Sequence, residues 1–303
     1  MRILELLTAY HIPYWTEGSN LSQGWIAMRC PMPGCGDTSN HMGFNLQREY
    51  FSCWRCGAHP LRKVLSRLLQ ISDTQVNEVI HEYGGRSQTP KAEAVAVRIG
   101  SRKFKYPGGT EEMNRQHRKY LISRNFDPDE LEHTWGLLGT GPVSLLDDID
   151  YKHRIVIPVQ WNNETVSFVT RDITNRHMKR YIVCPKVREI VHHKRILYGK
   201  QEAWGKTGII VEGTTDVWRL GTKACATFGI EYKIAQVLEI RRHFKRVFVI
   251  FDNEQQAQTK EEHLIHDLQM SGVQAYGVCI VGTDAGAMSQ NDANHLVKEL
   301  THG

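Results

Sequence analysis

The sequence predicts an α/β chain in which a small antiparallel sheet with helices, bearing a cysteine cluster, precedes a larger two-part core that ends in an α/β sheet. Two observations carry this expectation. Cys30, Cys35, Cys53 and Cys56 fall in two close pairs near the N-terminus. Residues 209–211, 247–251 and 273–281 are near-continuous apolar runs separated by helix-length segments, the pattern of strands covered on both faces. The chain has 303 residues, 41% of them hydrophobic, enough for two or three domains and at least one sizeable core, so a wholly disordered chain is excluded.

Taken in order, Met1-Arg2-Ile3-Leu4 opens an amphipathic helix that soon meets polar residues and Pro13. It lacks the apolar core and small-residue cleavage site of a secretory signal. The apolar runs are strand-sized, far short of the roughly 20 residues of a membrane helix, so a cytoplasmic protein without a membrane partner is expected. The block from Cys30 to Cys35, 17 further residues, and Cys53-Trp54-Arg55-Cys56 give two knuckles that can place four thiolates on one tetrahedral ion. Zinc suits four soft ligands and a closed, structural shell. Disulfides are the rival reading, and His41 or His59 are substitutes for one cysteine. The remaining Cys184, Cys225 and Cys279 stand singly among apolar neighbours and read as core filler.

Between the knuckles, residues 43–46 and 50–52 read as hairpin strands. Arg48, Tyr50, Trp54 and Arg55 combine charge with aromatic faces, which suits stacking on unpaired bases beside phosphates; the aromatics also suit a thin ribbon core. Leu61, Val64, Leu65, Leu68 and Leu69 then form one helical stripe, with Arg62, Lys63 and Arg67 off it. From Gly84 the glycine, proline and polar content is that of a linker, made basic by Arg98, Arg102, Lys103 and Lys105. A helical segment from about residue 111 runs to Asp127-Pro128, and residues 154–159 and 165–170 read as strands. The expected divisions are 1–83 for the cysteine module, 84–110 for the linker, 111–205 for a mixed first half of the core and 206–303 for its second half.

Chemistry concentrates in that second half. The run 209–211 ends in Glu212-Gly213 and turns into a helix carrying Asp216; the run 247–251 ends in Asp252-Asn253-Glu254; Asp292 follows the third run. Ligands of open α/β sheets bind at the carboxyl ends of strands. An acid after a single strand is commonly a helix cap, but carboxylates gathered at one edge repel each other and call for divalent cations. Magnesium, or manganese in its place, takes oxygen ligands and leaves positions for substrate phosphates.

The segments Val211-Glu212-Gly213-Thr214-Thr215-Asp216-Val217, Phe251-Asp252-Asn253-Glu254 and Asp292-Ala293-Asn294 resemble the three motifs of the TOPRIM domain, shared by DnaG-type primases, topoisomerases and some nucleases. The cysteine block resembles the zinc-binding domain of bacterial and bacteriophage primases. Arg124-Asn125-Phe126-Asp127, Arg154-Ile155-Val156-Ile157-Pro158 and Lys194-Arg195-Ile196-Leu197-Tyr198-Gly199 resemble the first half of the primase polymerase core, so the resemblance spans nearly the whole chain. It implies a DNA primase of the primosome: a zinc-finger module for single-stranded DNA, a polymerase core, and a TOPRIM subdomain with Glu212 as the catalytic glutamate. Asp216, Asp252, Glu254 and Asp292 would complete that site.

The resemblance further implies a single-stranded DNA template, ribonucleoside triphosphate substrates and a replicative helicase as partner. The second motif reads Asp-Asn-Glu where the usual form is Asp-x-Asp, and Asn294 stands where cellular primases carry an acid. The Asp-Ala-Asn form resembles bacteriophage primases, which would place the protein in a bacterial host cytoplasm. By the same resemblance Arg154, Arg171, Lys179, Arg180 and Lys194 form a basic ridge for template phosphates and the incoming triphosphate. A TOPRIM nuclease and a catalytically weakened DNA-binding accessory protein are the alternatives. The formal charge of +5 permits a polyanionic partner without requiring one. The stretch Gly199 to Thr207 mimics a phosphate-binding loop but has one residue too many between its glycines.

Overall fold

A computed structural model describes residues 1–17, 21–84, 103–177, 179–280, 282 and 284–302. The chain divides into two units, Met1–Val97 and Arg98–Gly303. In the first, α1 (Ile3–Ala9) precedes an antiparallel sheet in sequential order, β1 (Trp25–Met28), β2 (Met42–Asn45), β3 (Tyr50–Cys53) and β4 (Gly57–His59), followed by α2 (Leu61–Leu69) and α3 (Asp73–Tyr83). The β2–β3 pairing sets Met42 opposite Cys53 and Phe44 opposite Phe51. That register fixes one face of alternate apolar residues, and the two phenylalanine rings meet edge to face at 4.7 Å. Helix α2 buries Val64, Leu65 and Leu69 from the predicted stripe. Helix α3 starts where Ser72 and Gln75 exchange capping hydrogen bonds.

The second unit holds two five-stranded sheets. The first runs in the order β11 (Tyr181–Val183), β10 (Glu164–Asp172), β9 (Arg154–Trp161), β6 (Leu138–Thr140) and β5 (Thr110–Glu111). Its long β9–β10 hairpin closes through Asn162 and Asn163, both at positive φ, the backbone of a turn that follows the twist of its strands. Two helices, α4 (Arg115–Ser123) and α5 (Pro128–Trp135), are capped by the side chains of Asn114 and Asp127. A short β7 (Leu145–Leu146) and β8 (Ile149–Asp150) pair with each other.

The second sheet has the order β12 (Tyr198–Gly199), β14 (Ala224–Ala226), β13 (Thr207–Val211), β15 (Arg246–Ile250) and β16 (Gln274–Gly277). All but β12 are parallel. The helices α6 (Thr214–Leu220), α7 (Ile234–His243) and α8 (Gln255–Met270) connect them, and α9 (Gln290–His302) follows. Ile209, Ile210 and Val211 are wholly buried, as the apolar run requires. Gly208 is needed on β13, since a Cβ there would meet the Phe244 ring at 2.3 Å.

The fold class is the predicted one, with corrections of extent. The run 273–281 pairs only over β16, an edge strand in which Ala275 is buried while Gln274, Tyr276 and Gly277 are exposed, so it is not covered on both faces. Cys279, past the last paired residue, is exposed rather than core, whereas Cys184 and Cys225 are buried. Helix α4 begins at Arg115 rather than near 111, because Asn114 caps it and Thr110–Glu111 is a strand. Residues 85–102, with Arg98 and Arg102, lie outside the described residues. From Lys103 on, the supposed linker is packed: Phe104 and Tyr106 lie against the Phe168 ring. Two aromatic residues among the lysines account for that. The false phosphate loop runs from edge strand β12 through a short helical turn into β13, the reverse of the strand-to-helix order such a loop needs. Among the described residues no helix is long and apolar enough to cross a membrane.

Candidate metal centres and basic cleft

In the first unit, β3 ends in Cys53 and the β3–β4 turn carries Cys56, while Cys30 and Cys35 sit on the loop after β1. All four thiols are free and their sulfurs lie within 4.8 Å of one another. Cys30 Sγ is 3.6 Å from Cys56 Sγ, and Cys35 Sγ is 3.7 Å from Cys53 Sγ. These separations are far too long for disulfides. Zinc–sulfur bonds of about 2.3 Å place tetrahedral sulfurs about 3.8 Å apart, so the quartet fits such an ion. Buried Asp37 buttresses the loop by accepting from the amides of Cys30, Ser39 and His41 and from His41 Nδ1. Burial alone would raise its pKa, but those hydrogen bonds hold it below the usual carboxylate range. Of the two candidate substitutes, His41 braces Asp37, whereas His59 Nε2 lies 3.0 Å from Cys56 Sγ, beside the quartet. Trp54 is 76% exposed. Arg48 and Arg55 are also exposed, and Arg55 donates to the carbonyl of Gly36.

In the second unit, parallel strands deliver carboxylates to one edge. Glu212 follows β13, Asp252 follows β15, and Glu254 stands at the N-cap position of α8 without a side-chain capping bond. Glu212 Oε1 accepts the Asp252 amide at 2.9 Å. On α6, Asp216 accepts from the amides of Gly213 and Gly286. A Cβ at Gly286 would meet Asp216 Oδ1 at 2.9 Å, so close approach requires glycine there. Burial first, then the charges of Asp252, Asp216 and Glu254, push Glu212 up to about 7, against the lowering effect of the Asp252 amide. Burial, Asp252 and Asp284 raise Asp216 to about 7. Burial, Asp284 and Glu254 raise Asp252 to about 6. The carboxylates perturb one another, as acids sharing a crevice do.

Asp284, after β16, is the acid that the sequence reading missed. Its signal was available, since Gly282-Thr283-Asp284 follows the third apolar run directly. Asp292 instead lies exposed in the first turn of α9, where it accepts from Ser289 Oγ and donates its amide to the same oxygen. Those are the bonds of a helix cap.

The five basic residues divide into two kinds. Arg154 is buried and donates to the carbonyls of Lys179 and Arg180. Lys194 Nζ donates to the carbonyls of Thr227, Phe228 and Glu231, and burial followed by the Lys233 charge pushes it down to about 8. Both act as internal braces. Lys179 and Arg180 are exposed. Arg171 donates from Nε to the Tyr120 hydroxyl, with its guanidinium 4.7 Å from the Tyr181 ring centre. Arg171 and Arg180 line a cleft of about 600 Å³ together with Lys119, Tyr120, Arg124 and Asn175. Lys119 and Arg124 were not foreseen, because nothing in the sequence shows which face of α4 meets the β10 end.

No protein-family model and no curated protein matches the chain. Solved structures do. The zinc-binding and RNA polymerase domains of the Aquifex aeolicus primase match 99% of this chain and 83% of their own, with a TM-score of 0.52 and 18% identity. The DnaG primase catalytic domain bound to single-stranded DNA matches 61% of this chain and 71% of its own, with a TM-score of 0.53 and 18% identity. The RNA polymerase domain of Mycobacterium tuberculosis primase DnaG matches 63% of this chain and 77% of its own, with a TM-score of 0.51 and 17% identity. The chain has the fold of primase zinc-binding and RNA polymerase domains.

Proposed function

We propose that this protein is a DNA primase, joining ribonucleotides on a single-stranded DNA template for replication. In this reading residues 1–83 contact the template and 111–303 form the polymerase core, whose TOPRIM part is 206–303. The observation that carries it is the gathering of Glu212, Asp216 and Asp252, with Asp284, at the carboxyl edge of the parallel strands, where Asp252 and Asp216 raise the pKa of Glu212, Asp252 and Asp284 raise that of Asp216, and Asp284 raises that of Asp252. Such a cluster suits divalent cations, and magnesium or manganese bound there would supply the charge neutralisation that phosphoryl transfer needs. Glu212, Asp252, Glu254 and Asp284 would hold it, while the two amides on Asp216 fix the crevice wall. The cleft of Lys119, Arg124, Arg171 and Arg180 would hold phosphates of the template or the incoming triphosphate. A replicative helicase as partner, a bacteriophage source and a host-cytoplasmic location belong to the same proposal.

The test is incubation with magnesium, ribonucleotides and single-stranded DNA. Short new RNA supports the reading, and shortened DNA assigns a nuclease instead. Glu212→Gln should lower primer synthesis by at least about 1,000-fold while DNA retention changes little. Full synthesis by that variant would remove the proposed mechanism.

A further inference from the structure

Among the described residues, one set of side chains besides the cysteine quartet draws its metal-ligating atoms together, and it lies in the second unit and is not part of the acidic edge. Glu189, His192 and His193 each offer one ligand atom, all within 4.8 Å of one another. Glu189 is 2% exposed. Its Oε1 is fully employed, accepting from Ser167 Oγ at 2.7 Å, the His193 amide at 3.2 Å and His193 Nδ1 at 2.7 Å. Its Oε2 is buried and takes no hydrogen bond among the described residues. A buried carboxylate oxygen without a donor is costly, and it faces His192 Nε2 across 3.9 Å. That distance is too long for a hydrogen bond. An ion bonded at about 2.0–2.2 Å to each atom spans it.

We propose that Glu189, His192 and His193 form a further protein-bound metal site, selective for a zinc-like transition-metal dication. Two imidazoles and one carboxylate are borderline ligands that favour zinc, cobalt or nickel over magnesium. The two rings stack at 4.7 Å with 17° between planes, which brings both imidazoles to one side of the carboxylate. His192 Nδ1 accepts the amide of Lys194, which leaves the imidazole proton on Nε2, facing Oε2. The ion replaces that proton, which His192 then carries on Nδ1, releasing the amide; His193 likewise moves its proton from Nδ1 to Nε2 and exchanges its hydrogen bond to Oε1 for the ion. Occupation of the site thus remodels the short turn His193–Arg195, and the Lys194 amide reports on it.

The experiment uses the full chain with its cysteine quartet loaded with zinc and with magnesium present in excess. Cobalt(II) is titrated in, followed by visible absorption and by the Lys194 amide resonance. The proposal expects one further equivalent whose spectrum lacks thiolate charge transfer, together with a shift of that resonance. His192→Ala, at a half-exposed position, and Glu189→Gln should each weaken this event by at least the roughly 10–100-fold that losing even an outer partner costs a metal site. Asp252→Asn should leave it unchanged. An absent event, an event that survives both substitutions in folded protein, or one lost with Asp252→Asn would overturn the assignment. The readout is metal binding, so it stands or falls apart from primer synthesis.

Discussion

At the scale of single residues, the third acid separates two arguments. Asp284 acts electrostatically on both Asp216 and Asp252, whereas Asp292 is engaged with Ser289 in a cap. Asp284→Asn should therefore reduce magnesium-dependent synthesis by at least tenfold, on the order of 1.4 kcal/mol of transition-state binding. Asp292→Asn should cost only the stability of a cap, about 1 kcal/mol, seen in melting curves. Comparison of kcat/KM and Tm for the two variants checks this; the reverse ranking would restore Asp292 to the site. The same cluster sets a pH dependence. A carboxyl whose folded pKa lies above its unfolded one binds its proton more tightly in the fold. Its contribution is then full below about pH 4 and is lost as pH rises through 6 to 7 for Asp252, Asp216 and Glu212. In a chelating buffer, Asp252→Asn should thus match the wild-type unfolding free energy near pH 4 and exceed it at pH 8, by on the order of 1 kcal/mol after solvent screening. A difference that stays flat with pH would contradict it. Glu212 and Asp252 were legible because a polar residue after an apolar run marks a strand end, and Asp216 because the helix that follows such an end begins at the same edge. Arg154 and Lys194 look like free cations in a sequence, since the carbonyls that occupy them come from residues 25 to 37 positions away.

At the scale of elements, α6 was legible as a helix after a strand, but its role as a clamp was not. Arg219, 1% exposed, donates to the carbonyls of Arg124, Asn125 and Gly286 and to Gln290 Oε1, with its guanidinium 4.1 Å from the Phe126 ring centre. It ties the turn after α4, which supplies Arg124 to the basic cleft, to the loop whose Gly286 amide holds Asp216. Arg219→Met keeps the stem and strands these acceptors, at an expected cost of about 2–4 kcal/mol. Urea unfolding followed by circular dichroism measures that, and magnesium affinity should fall with it because the Gly286 loop is released. A variant with wild-type stability would show that the acceptors find other donors. The strands show the same limit. Runs as apolar as Ile209-Ile210-Val211 declare themselves, whereas β12 and β14 are only two and three residues long and owe their form to pairing with neighbours.

At the scale of the whole chain, the two units rest on different forces. The second has its own apolar core, drawn from residues as far apart as Met113 and Ala293, and such a core holds without a metal. The first is small and its sheet is four strands of three or four residues, a size at which a bound ion commonly supplies folding free energy outright. This asymmetry was legible as cysteine spacing before and apolar runs after, since the two patterns have different causes. It predicts that stripping the cysteine quartet, by chelation or by Cys35→Ser, abolishes order in residues 1–83 while the second unit persists. Limited proteolysis read by mass spectrometry should then cut within 1–83 and spare 111–302, and magnesium should still raise the Tm of what remains. Primer synthesis on single-stranded DNA should be lost despite the intact acidic edge, because the template contact proposed for Trp54, Arg48 and Arg55 goes with the first unit. Simultaneous cleavage of both units would instead make the ion a support of the entire fold, and undiminished synthesis would take the first unit out of template binding.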